Sequence, residues 1–88
     1  MDRMRYSDHD LDMQRQQALI ERDIFPVDCR IQRLRDEIRD RLRYLRNLKQ
    51  KGYSTVHSER LLELLCRTLA VDRAYRRAML KAIESGRR

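Results

Sequence analysis

The chain has no tryptophan, one phenylalanine, one proline, two glycines and two cysteines in 88 residues. Each shortage excludes something. Turn-rich β architectures need more glycine and proline than this. A disulfide-stapled scaffold needs more cysteine. No apolar run approaches the ~20 residues of a membrane span, and no N-terminal apolar segment has the form of a signal peptide. The longest apolar clusters, Leu61-Leu62 and Leu64-Leu65, are split by Glu63. Little punctuation and no long apolar stretch describe a small all-α protein. The expected location is the reducing cytoplasm, without a membrane partner.

What the chain has in abundance is charge. Charged residues make up 40% of it, and 21 Lys and Arg against 14 Asp and Glu give a net charge of +7. Eighteen of the 21 bases are Arg. Guanidinium is planar and bidentate, so an Arg bias suits phosphate or carboxylate recognition, although genomic base composition produces the same bias. Residues 1–28 carry a net charge of −3 and residues 29–88 of +10. An acidic arm of this kind can fold back on the basic body, or reach a second copy.

The hydrophobic pattern is helical. Val27, Ile31, Leu34, Ile38, Leu42, Leu45 and Leu48 form one stripe at spacings of three and four, the period of an amphipathic helix. Gly52 then supplies a left-handed helix end. Ser54 or Thr55 can cap a last helix, whose apolar positions Leu61, Leu62, Leu65, Leu69, Tyr75, Met79, Leu80 and Ile83 are widened by Leu64, Val71 and Ala82. That face covers near half the circumference, more than one partner helix takes. Residues 8–24 show a looser helical pattern. Pro26 either opens a new helix or kinks a continuous one; the stripe stays in register across it through Ile20, Ile24, Val27 and Ile31, which favours the kinked helix.

The expected organisation is a single domain over 1–88. It has a flexible N-terminus at 1–8, a first helix or helix pair over 9–50 with a break near 26, a turn at 51–54, a last helix over 55–84 and a tail at 85–88. A connection this short makes the two long helices antiparallel neighbours. The excess of apolar surface points to a homodimeric helical bundle with coiled-coil-like packing. The face expected to self-associate comprises Leu61, Leu65, Leu69, Asp72, Arg76, Met79 and Ile83. Asp72 and Arg76 fall in the middle of it, so both need partners unless this stretch of the face is open to solvent. Arg76, one turn on, is the nearest donor to Asp72, and Arg30 on the preceding helix is the next.

The segments Lys51-Gly-Tyr-Ser-Thr, Leu61-Leu-Glu-Leu-Leu, Thr68-Leu-Ala, Arg73-Ala-Tyr-Arg-Arg and Met79-Leu resemble a family of small proteobacterial proteins of unknown function. These carry a Gly-x-x-Thr turn followed by a Leu- and Arg-rich helix. The resemblance spans roughly residues 20–84 and implies a helical hairpin and no particular activity. The chain departs from the pattern at Tyr75, where the family has His, at Asp72, where it has an apolar residue, and at Pro26.

No constellation of catalytic type emerges. His9, Cys29, His57 and Cys66 lack the spacing that sets two metal ligands on one face. Ser54, His57 and Ser58 sit at a helix start, where Ser is ordinarily a cap. No catalytic residue, metal or cofactor is therefore expected. A basic cluster at the hairpin end, Arg39, Arg43, Arg46, Lys49 and Lys51, with Arg41 between, is a candidate patch for phosphate or for an acidic protein partner. Against nucleic acid, the bases lie around the helix rather than along one stripe, and only Tyr44 and Tyr53 are placed to stack on bases. The sequence thus reads first as a non-enzymatic, self-associating interaction module of the kind that serves as an adaptor, a small chaperone or an inhibitor of a larger protein. The alternative is an Arg-rich nucleic-acid-binding protein.

Overall fold

The computed structural model describes residues 8–86. The expected flexible start falls outside it except for Asp8, as does the end of the tail, 87–88. Among the described residues the fold is all-α. The order is α1 (Asp8–Leu19), a π-helical turn (Ile20–Ile24), α2 (Phe25–Gln50) and α3 (Val56–Glu84). The first three run into one another as a single long helix, and α3 returns alongside it to close a hairpin. No helix of the described residues is long and apolar enough to cross a membrane.

The proline does not break the helix. The irregularity lies just before it, at Ile20–Ile24, where the Phe25 N–H reaches back five residues to the Ile20 carbonyl. A proline ring collides with the carbonyl four residues earlier in a regular α-turn. The wider π-turn relieves that collision and lets the chain continue. The kinked-helix alternative is therefore the observed one, with the distortion displaced upstream. Beside the turn, Arg22 donates to both carboxylate oxygens of Asp23 at 2.8 and 3.0 Å, which holds that carboxyl below its usual range.

Gly52 ends the long helix. Its φ of +74° lies in the left-handed region that a Cβ disfavours. The Gly52 N–H bonds the Lys49 carbonyl at 3.2 Å and the Tyr53 N–H bonds the Leu48 carbonyl at 2.9 Å, the paired closure of a Schellman motif. The last helix starts one residue later than expected. Thr55 is the residue before it, yet its hydroxyl donates to the Glu59 carboxylate at 3.0 Å and caps no backbone N–H.

The core is thin. Ile24, Val27 and Ile83 are buried toward the open end of the hairpin and Leu45 toward the turn. Gln16 of α1 donates to the Ile83 carbonyl at 3.4 Å, which ties the arm to the end of α3. The molecule measures 76 × 25 × 12 Å. Twelve ångströms is the depth of one layer of helices, whereas most domains bury their apolar faces between two layers.

Candidate interaction surface

The seam between α2 and α3 accounts for one part of the broad apolar face. Counting 100° per residue around α3, Leu61, Leu65, Leu69, Asp72, Arg76, Met79 and Ile83 all lie within about 40° of Leu65. Every one of them is buried or half-buried. They are turned toward the long helix of the same chain, so the seven residues expected to meet a second copy line the intramolecular seam instead.

The two polar residues in that seam fix its register. Asp72 accepts two hydrogen bonds from Arg30, both at 3.4 Å, and its side chain is only 14% exposed. Arg76 donates to Asp28 at 2.5 and 3.4 Å, and these bonds hold the guanidinium above its ordinary pKa. The expected Asp72–Arg76 pair is thus replaced by two crosswise pairs. Each helix contributes one acid and one base, and each acid reaches the other helix. Arg76 points across the seam because that is where its long stem finds apolar cover and its head finds a carboxylate. Asp28 escaped the sequence reading; its only signal is a position level with residue 76 once the hairpin register is known.

A second apolar set on α3 remains uncovered. Leu64, Thr68, Val71, Tyr75, Ala78 and Ala82 are all exposed, and Leu64, Val71 and Tyr75 are 54%, 66% and 51% accessible. They lie about 100° from the seam on one side of α3. Thr68 turns its hydroxyl back onto the Leu64 carbonyl at 3.0 Å, so its methyl group is left to the stripe. The other side of α3, at the same angular distance, carries Glu59, Arg73, Arg77 and Glu84. Leu62, Cys66, Ala70 and Leu80 share that side with the charges, so it is mixed, whereas the first flank is uncharged from Leu64 to Ala82.

The basic hairpin end is partly self-neutralised. Arg39 bonds Asp36, and Arg43 lies 3.8 Å from Asp40. Arg46, Lys49 and Lys51 are exposed and make no ion pair within the described residues. Arg39, Arg43 and Arg46 follow one another at four and three residues, along one side of α2.

Cys29 and Cys66 are free thiols and both exposed. Among the described residues no group of three His, Cys, Asp or Glu side chains is placed to hold a metal ion. His57 is exposed beside a buried Ser58. A shallow cleft between α1 and the end of α3 is lined by Asp12, Arg15, Gln16, Leu19, Ile83 and Gly86. No protein-family model, curated protein or solved structure matches the chain.

Proposed function

We propose that the protein is a non-enzymatic helical interaction module that works by covering the open flank of its hairpin with protein, in the first place with its own kind. The observation that carries this reading is the uncovered stripe on α3 in a molecule one layer thick. The area supports it. A compact protein of this mass exposes about 5,500 Å², whereas this chain exposes 7360 Å². The difference exceeds the roughly 800 Å² that each partner buries in a standard interface. Exposed aliphatic and aromatic side chains aligned on one flank are a docking surface rather than scattered surface residues.

Size-exclusion chromatography with light scattering tests the reading. The expected result at roughly tens of micromolar is a particle heavier than the 10.8 kDa chain, with no nucleic-acid absorbance at 260 nm. A folded monomer across that range refutes self-association.

One observation favours a second reading. Arg46, Lys49 and Lys51 cluster at the hairpin end without carboxylate partners among the described residues, and such a patch suits phosphate or an acidic protein. Under it, changing Arg43, Arg46 and Lys49 together to Ala abolishes nucleic-acid retention at low salt while the helical circular dichroism is unchanged. A native chain that retards no DNA or RNA at low salt ends that reading. The apolar flank ranks above it because two of the Arg side chains in the patch already hold their own acids.

A further inference from the structure

The side-chain sizes along the open stripe on α3 decide how a second copy of the chain fits against it. Leu64, Thr68, Val71, Tyr75, Ala78 and Ala82 follow at spacings of four and three, the seam of a two-stranded coiled coil. A run with this spacing is even about its midpoint, here residue 73, so the sizes paired across that level are what distinguish one arrangement from another. Leu64 and Ala82 stand nine positions either side of it, Thr68 and Ala78 five, and Val71 and Tyr75 two. We infer that this flank packs against the same flank of a second copy, antiparallel, about a two-fold axis level with Arg73. The inference rests on the self-association reading above and specifies its contact.

Antiparallel pairing about that level sets unlike sizes against each other. Leu64 faces Ala82 of the second copy at both ends, Val71 faces Tyr75 on either side of the axis, and Thr68 faces Ala78 between them. In a parallel pair each residue faces itself. Two Tyr75 rings then crowd one layer, while the Ala78 and Ala82 layers are left underfilled, and both faults destabilise a packed seam.

The charges around the stripe fit the same arrangement. Glu63, 3.6 Å from Arg67, comes within two positions of the level of Lys81 in the second copy, so a carboxylate stands between two cations. On α2, the ion pairs of the seam place Arg30 close to the level of the axis. Asp72 of the same copy already holds it. The two hairpins therefore bring together Arg–Asp pairs rather than bare guanidinium groups.

Two measurements on the full chain test this. In a background with Cys29→Ser and Cys66→Ser, spin labels at Arg60→Cys, exposed and outside the stripe, lie about twenty-six positions apart in level across the antiparallel pair, about 39 Å along the axis at 1.5 Å per residue. A parallel pair sets them side by side. Independently, Leu64→Ala weakens the dimer about tenfold, and adding Ala82→Leu restores it because the two volumes exchange within one layer. Both positions are exposed in the single chain, so the circular dichroism stays that of the hairpin. Labels in close contact, or a dimer indifferent to Leu64→Ala, overturn this inference and leave self-association standing. A native chain that is a monomer overturns both.

Discussion

Arg30 and Asp72 are 42 residues apart in the chain and meet through two hydrogen bonds of 3.4 Å, while Asp28 and Arg76 meet 48 residues apart. The two pairs cross between the helices and define their alignment. An Asp in a helical seam with no cation opposite costs more than it contributes. Here each carboxylate finds its cation on the neighbouring helix, so a slip of one helical turn breaks both pairs together. Polar groups in a helical interface serve register in this way at some cost in stability.

A double-mutant cycle follows from that pairing. Arg30→Ala and Asp72→Ala should couple by about 0.5–1 kcal/mol, because the Arg30 side chain is nearly half exposed and solvent weakens the pair. Asp72→Ala and Arg76→Ala should be additive. Denaturant midpoints of the three single variants, the two double variants and the native chain decide it. A coupling confined to Asp72 and Arg76 means that the pair forms within α3 instead.

Gly52 is the one position in the turn where geometry dictates the residue. A Cβ there meets no neighbouring atom within 4 Å, so the cost of Gly52→Ala comes from its positive φ alone. About 1 kcal/mol is expected, which lowers the melting temperature by about 4–8 °C in a domain of this size. Gly52→Asn should recover part of the loss, since Asn tolerates the left-handed region better. An Ala variant that melts with the native chain would falsify the assignment of that backbone strain.

Leu64 and Leu65 are adjacent in sequence and differ in what they touch. Leu65→Asp places a carboxylate in the seam and should cost about 3 kcal/mol or more, seen as loss of the hairpin on mild heating. Leu64→Asp should leave the thermal melt of the dilute monomer within about 0.5 kcal/mol of native. If the two substitutions damage the isolated chain equally, Leu64 also belongs to the core.

Replacing Pro26 tests the origin of the π-turn. Pro26→Ala restores an N–H and removes the ring, so a regular α-turn becomes available. The arm over Asp8–Leu19 then rotates by about one residue, or 100°, and Gln16 leaves the Ile83 carbonyl. The side-chain amide resonance of Gln16 reports this directly. An unshifted resonance means that packing against α3, rather than the proline, holds the turn open.

Much of the fold was legible in the chain. Seven apolar residues from Val27 to Leu48 at helical spacing, one glycine at 52 and a second apolar run leave few arrangements other than an antiparallel hairpin. The π-turn was not legible, because a register preserved across Pro26 is compatible with any device that accommodates the ring. Nor was the division of labour on α3. The membership of its broad face could be read from sequence, but a hairpin partner covers only part of it, and which part depends on the rotation of α3. The burial of Leu61, Leu65, Leu69, Met79 and Ile83 holds that rotation, and the crosswise ion pairs mark it. Asp28 carries half of this information and has no local signature, since its partner lies in the other helix.

Sedimentation velocity of the native chain beside Val71→Asp decides whether the open flank of α3 is the contact between copies. Val71 is exposed in the single hairpin, so the variant should keep the native circular dichroism. At roughly tens of micromolar the native protein should sediment with twice its 10.8 kDa mass, and Val71→Asp as a folded monomer. A native chain that sediments at 10.8 kDa throughout, or a Val71→Asp variant that still forms the dimer, contradicts the account.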